Sequence, residues 1–235
     1  MQTEIGYLED VINPTLLREC SAEQFIYRET NVVAKALINQ LENLSPNSRN
    51  LTLEGLMSIA DRMEEDVNQL VATKEFDLAV KKYSESLPSS KMVFTNLMYY
   101  IYNINELRSR SMDCLIQTYT TMLITYMVFI LSIFTEPSDS YVAEFFEELK
   151  RTLREKNHDY TNDSKEDALI NFKRTMVIGL EPEYGVLVRL IDKVGRIETF
   201  VSKGELKVRG EGFMDAIKDS IGYLIILSGL LESKV

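Results

Sequence analysis

Three basic side chains recur at helical spacing near the C-terminus. Arg189, Lys193 and Arg196 are separated by four and then three residues, so a helix places them on one face, with Asp192 beside them. The planar guanidinium of arginine matches the oxygens of a phosphate group, and lysine adds a point charge. We call these three residues the basic stripe.

Acidic side chains recur on the next predicted helix. They are four residues apart, and an aromatic residue follows one turn later: Glu211, Asp215 and Asp219, then Tyr223. Like charges at this spacing repel each other by about 0.2–0.5 kcal/mol per pair on an exposed helix. A group of opposite charge should therefore offset the repulsion between Glu211, Asp215 and Asp219, which we call the acidic stripe.

Two kinds of partner would compensate the acidic stripe. In the structural explanation, the basic stripe faces it and the two helices are joined by salt bridges without a ligand. In the functional explanation, the carboxylates bind Mg²⁺ while Lys193 and the two arginines contact phosphate oxygens. The two explanations are compatible, because an empty site often pairs its own charges.

A smaller polar cluster precedes both stripes. It consists of Lys156, His158, Asp159 and Tyr160. Taken alone, these residues are typical of a polar helix end followed by a surface loop.

Composition limits the kind of partner. The 235-residue chain has a formal net charge of −10, which argues against nucleic-acid binding through bulk charge. Residues 1–140 carry 11 basic and 19 acidic side chains, whereas residues 141–235 carry 15 and 17. The basic groups are thus concentrated in the C-terminal part, where the stripes lie.

Few residues of this chain suit a transition metal. Its two cysteines, Cys20 and Cys114, stand in apolar surroundings, and His158 is its only histidine. Zinc, haem and iron–sulfur sites are therefore improbable, and any metal should be Mg²⁺ or Mn²⁺ held by carboxylates. The first ten residues do not resemble a signal peptide, so the cytoplasm is the expected location.

Helical periodicity with few glycines and prolines predicts an all-α bundle. We expect helices over residues 21–44, 53–83, from 91 onward, 141–157, 164–172, 182–201 and 211–232. The cluster of turn-forming residues at 136–140 predicts a boundary between an N-terminal helical region, 1–137, and a C-terminal domain, 138–235, packed on it.

Residues 114–135 carry no charge. Such a run is long enough to span a bilayer, but its scattered threonines, glutamine and serine favour a buried central helix of a bundle. Together with the aromatic run at 99–102, it is hard to cover within one small bundle. We therefore expect a homo-oligomer.

Residues 156–227 resemble a phage and bacterial family, the nucleotide-modification-associated domain of the first type. The matching residues are Lys156-x-x-Asp159-Tyr160, Asn171-Phe172, the run from Gly185 to Val194 with Arg196, and Glu211-x-x-x-Asp215-x-x-x-Asp219-x-x-x-Tyr223. The family resembles the all-α nucleoside triphosphate pyrophosphohydrolases of the MazG and dimeric dUTPase group. Those bundles bind Mg²⁺ with ExxE and ExxD motifs and cleave between the α- and β-phosphates.

The resemblance implies a role for each matching residue. Asp192, Glu211, Asp215 and Asp219 would bind the metal, and Lys156, Arg189, Lys193 and Arg196 the phosphates. Asp159 or Glu211 would orient the attacking water, and Tyr160 and Tyr223 would contact base or sugar. The chain departs from the pyrophosphohydrolases in one respect: residues 182–201 contain no ExxE but Arg189, Asp192 and Lys193.

Three functions are therefore expected as alternatives. The first is a Mg²⁺-dependent nucleotide phosphohydrolase or a related nucleotide-processing protein, encoded by a phage and acting in the host cytoplasm. The second is a protein that binds or sequesters a nucleotide or nucleotide-derived signal without cleaving it, which the basic residues at the place of carboxylates favour. The third is a helical interaction protein in which the charge stripes are structural.

Overall fold

A computed structural model describes residues 50–110, 112–135, 141–161, 167–204 and 212–233 of the chain. These residues form eight α-helices and one 3-10 helix, and the described part contains no strand. The elements are α1 Leu53–Val71, α2 Lys74–Glu85, α3 Ser90–Ser109, α4 Asp113–Phe134, α5 Tyr141–Thr161, α6 Ile170–Lys173, the 3-10 helix Arg174–Ile178, α7 Pro182–Lys203 and α8 Phe213–Glu232. The predicted all-α bundle is confirmed. The helix expected over residues 21–44 lies outside the described residues.

The single helix predicted over residues 53–83 is wrong, because the structure has two helices there. Thr73 separates them: its hydroxyl accepts a hydrogen bond from the Phe76 amide (3.3 Å) and donates one to the Leu70 carbonyl (2.7 Å). A threonine that satisfies both the end of one helix and the start of the next favours a break at this point. The apolar spacing continues across the break, which is why periodicity alone did not reveal it.

Helix α4, which contains most of the uncharged run 114–135, lies in the centre of the bundle and packs against α1, α2, α3 and α8. Every side chain from Leu115 to Ile133 is buried. The hydroxyls of Thr120, Thr125 and Ser132 donate to carbonyls one turn back, as Thr120 does to Ile116 (2.8 Å), so these three need no partner outside the helix. Within the described part of the chain, Leu115–Phe134 is the one helix long and apolar enough to cross a membrane, and its most apolar window is wholly buried.

This burial corrects the reason given for an oligomer. The described residues of α4 are covered within one chain, since α4 is surrounded by four helices of its own bundle. The aromatic run preceding it is divided, with Tyr100 buried and Tyr102 exposed. The homo-oligomer itself stays a prediction.

One hydrophobic core joins helices from both sides of the predicted domain boundary. It includes, for example, Ile124 of α4 and Ile225 of α8. The turn residues 136–140 lie outside the described residues, and the boundary stays a prediction. In the C-terminal part, α7 and α8 form the most extensive helix pair, and α8 also packs against α1, α4 and α5. This arrangement places α5, α7 and α8 around a shared cleft.

Candidate functional site

A cleft opens between α5, α6, α7 and α8, with one side chain of α1 at its base. The space inside it that water can reach is about 80 Å³. Its apolar lining comes from Leu56, Leu149, Leu153, Ala168, Gly222 and Ile226. Its polar and aromatic lining comes from Thr152, Lys156, Asn157, Asn171, Phe172, Arg189, Lys218, Asp219 and Tyr223. The cleft thus combines an apolar floor with a charged rim, which is the usual composition of a ligand site.

The rim is organised around one carboxylate, Asp219 of α8. Its Oδ1 accepts a hydrogen bond from Lys156 Nζ of α5 at 2.5 Å, and its Oδ2 contacts Lys193 Nζ of α7 at 2.8 Å. Burial alone would raise the pKa of Asp219, but the hydrogen bonds and charges of the two lysines outweigh it and hold the pKa below its ordinary value. Asp219 is therefore ionised at neutral pH and bridges three helices.

Aromatic and cationic groups lie together on another side of the cleft. The Arg189 guanidinium is 5.8 Å from the centre of the Phe172 ring, within the range of a cation–π contact. The ring of Tyr223 meets that of Phe172 edge to face, with 6.5 Å between centroids. Two aromatic rings beside an arginine offer a flat ligand a surface on which to pack.

The structure brings together five of the residues predicted from the sequence. Four of them line the cleft: Lys156, Arg189, Asp219 and Tyr223. The fifth, Lys193, is not a lining residue but forms a salt bridge with Asp219. The contact between Lys193 and Asp219 is the helix-to-helix salt bridge of the structural explanation. Of the two described carboxylates of the acidic stripe, this salt bridge involves Asp219 alone.

Other predicted residues lie away from the cleft. Asp215 is exposed and caps α8, where its Oδ2 accepts a hydrogen bond from the Gly212 amide at 2.8 Å. Asp192 is exposed, and Arg196 is half-buried without lining the cleft. Asp159 is exposed and contacts His158 Nδ1 at 3.2 Å.

Two predicted residues have no described side chain. Glu211 lies outside the described residues, and the side chain of Tyr160 is likewise not described. Within the described ranges, no three histidine, cysteine or acidic side chains lie close enough together to hold a metal ion. The predicted metal site and catalytic pair stay predictions.

Sequence reasoning missed Lys218. Its Nζ contacts Glu148 Oε1 at 2.7 Å, its side chain is mostly buried, and it lines the cleft. The signal was the one basic residue of the predicted helix 211–232, one residue before the acidic position 219.

Asn157 was missed as well, and its Nδ2 donates to the Ala168 carbonyl at 3.0 Å. Its spacing offered a signal. Asn157 continues the face of α5 that carries Leu149 and Leu153, eight and four residues earlier, so the apolar face leads directly to it.

Comparisons of the chain with protein-family models, with curated proteins and with solved structures found no match. The resemblance to the nucleotide-modification-associated domain therefore stays a prediction. The function has to be inferred from the geometry of the cleft.

Proposed function

We propose that this protein binds a small phosphorylated molecule with a ring, of the nucleotide class, in the cleft between α5 and α8. The observation that carries the proposal is the charge at the cleft. Three cations, Lys156, Arg189 and Lys218, line it, whereas Asp219 is its one acidic lining residue among those described. In a chain with a net charge of −10, such a concentration of cations favours an anion.

The proposed contacts follow from the chemistry of each group. Phosphate oxygens take the place of the Asp219 carboxylate on Lys156, because both are anionic acceptors of similar geometry. Arg189 offers a planar fork of donors to the same group. The ring of the ligand lies near Phe172 and Tyr223, which supply flat apolar surface at the side of the cleft.

Binding is better supported than cleavage by the positions of the described carboxylates. Asp215 is engaged in capping α8, Asp192 is exposed, and Asp219 is held by two lysines. Mg²⁺ or Mn²⁺ would then enter with the ligand, since Mg²⁺ is often bound by one or two carboxylates together with ligand phosphates. Asp219 is the carboxylate placed to share such an ion.

Calorimetry tests the proposal. We would titrate ADP, GDP, CDP, UDP and inorganic pyrophosphate into the protein at low salt, with and without Mg²⁺. The Lys156→Gln variant should weaken binding about tenfold, because it removes one charged hydrogen bond of roughly 1.5 kcal/mol. The matched control is Arg151→Gln, an exposed cation on the same helix outside the cleft.

Each outcome has a meaning. No binding of any compound, or equal loss in both variants, would refute the proposal and favour the interaction protein. Recovery of the nucleoside diphosphate intact after incubation with Mg²⁺ supports binding alone. Release of phosphate supports the hydrolase.

A further inference from the structure

Gly222 lies at the floor of the cleft, near the middle of α8. It is buried and belongs to the cleft lining. Glycine is among the poorest helix formers, because it loses the most backbone freedom when a helix forms. A buried glycine inside a helix therefore calls for a reason, and close packing of a neighbouring helix is the usual one.

Packing does not require glycine at this position. A Cβ atom at residue 222 would lie 3.4 Å from Leu153 Cδ2, at the short end of van der Waals contact, and 3.7 Å from Leu149 Cδ1, which is an ordinary contact. Gly229, two turns further along α8, is different: its Cβ would lie 2.8 Å from Leu51 Cδ2. Position 229 is tightly packed, whereas position 222 has room for an alanine.

The room beside Gly222 is apolar and small. Leu149 and Leu153 lie within 4 Å of a Cβ at residue 222, and Leu56 and Ile226 belong to the same cleft lining, so a charged group would lose its hydration there without compensation. The whole cleft, charged rim included, offers water about 80 Å³, which corresponds to several water molecules at roughly 10–15 Å³ each. A cleft of that size favours a small uncharged part of a ligand, about one ring, at the apolar floor, with the phosphates at the rim where Lys156 and Arg189 lie.

We infer that Gly222 determines ligand specificity by leaving space for one uncharged ring of the ligand. This inference rests on the proposed function and adds the orientation of the ligand: the ring near Phe172 and Tyr223 has one edge at the floor beside Gly222, and the phosphates lie at Lys156 and Arg189. A methyl group at residue 222 takes part of the space that the ring occupies. It leaves the rim unchanged.

The experiment compares Gly222→Ala with the wild-type protein and with Gly195→Ala. Gly195 is a matched control because it also lies within a long helix, outside the cleft, and its Cβ would meet no atom within 4 Å. The probes are inorganic pyrophosphate, which has no ring, and the tightest-binding nucleoside diphosphate of the panel. Thermal unfolding of all three proteins is measured alongside.

We expect Gly222→Ala to bind the nucleoside diphosphate at least about tenfold more weakly, as one extra methyl group does in a fitted apolar pocket. Pyrophosphate binding should stay within about twofold, since the rim is intact. The midpoint of thermal unfolding should rise by about 1–3 °C in both variants, because alanine is the better helix former.

Two results would overturn the inference while leaving the proposed function in place. One is unchanged nucleoside diphosphate binding in Gly222→Ala when the wild-type protein binds it. The other is a lower unfolding midpoint in Gly222→Ala than in the wild-type protein, which would mean that packing does require glycine. Failure of the wild-type protein to bind any probe refutes the proposed function itself.

Discussion

Replacing Asp219 by asparagine removes the charge on which the rim of the cleft is organised. In the proposed site, the Asp219 carboxylate forms salt bridges with Lys156 and Lys193 when no ligand is bound. An incoming phosphate has to displace it. Asp219→Asn should therefore tighten the binding of pyrophosphate while it weakens the fold.

The magnitude follows from the exposure of each partner. Lys156 is 45% exposed, so its pair with Asp219 contributes no more than about 1 kcal/mol. The Lys193 and Asp219 side chains are 20% and 19% exposed, and a charged hydrogen bond of that kind contributes about 1–1.5 kcal/mol. Together they suggest a stability loss of about 1–2 kcal/mol and, at about 1.4 kcal/mol per tenfold, about a tenfold gain in affinity.

The stability difference should depend on pH. The pKa of Asp219 is held below its ordinary value of 3.8. The ionised carboxylate therefore stabilises the fold at every pH above the pKa that this carboxyl has in the unfolded chain. This contribution is lost as the pH falls through the lower pKa of the folded protein. Wild-type protein and Asp219→Asn should thus differ in unfolding free energy at pH 7 and converge in strong acid.

The assay is calorimetric titration of pyrophosphate at pH 7 and low salt, combined with urea unfolding. Asp192→Asn serves as control, since it removes an equal charge from an exposed position of α7 outside the cleft and should change neither quantity by much. Unchanged or weaker pyrophosphate binding by Asp219→Asn without Mg²⁺ would refute the reasoning. Loss of binding that occurs only with Mg²⁺ would identify Asp219 as a metal ligand.

Three further predictions concern stability and are measured by urea unfolding. Lys150→Met should lower the unfolding free energy by about 2–3 kcal/mol, because it leaves Glu64, only 15% exposed and 3.0 Å from Lys150 Nζ, without that cation. Adding Glu64→Gln should restore part of the loss. Full stability of the single variant would contradict the prediction. Asp66→Asn should stabilise the fold at pH 7 by about 1 kcal/mol. Burial raises the pKa of Asp66 to about 6 against the opposing effect of Arg62, so this carboxyl costs stability as the pH rises through that value. An equal effect at pH 4 would show another cause. Thr73→Ala should cost about 1 kcal/mol through the lost cap of α2, whereas Thr73→Ser should retain most of it.

The helical character of this chain could be predicted from the sequence, because a helix is built from contacts between residues three and four apart. That spacing placed Arg189 and Lys193 on one face of α7 and indicated an acidic face on α8. Residues 182 and 213, where α7 and α8 begin, lie within two residues of the predicted starts. The break at Thr73 was missed, because capping side chains interrupt a helix without interrupting its apolar spacing.

The uncharged run in α4 shows where spacing stops being informative. A membrane helix and a central bundle helix have the same composition, and they differ only in what surrounds them. In this structure, α1, α2, α3 and α8 of the same chain surround it. That answer depends on residues far away in the sequence.

The cleft depends on tertiary structure in the same way. The sequence determined that Asp215 and Asp219 share a helix face, but α8 begins at Phe213, so Asp215 falls in its first turn and caps the helix. Only the rotation and axial position of α8 against α5 and α7 bring Asp219 to Lys156 and Lys193. Periodicity fixes the angle between residues on one helix, because the backbone hydrogen bonds are local. The registration of one helix against another is set by the packing of apolar side chains from distant parts of the chain, and it is this packing that decided which charges meet.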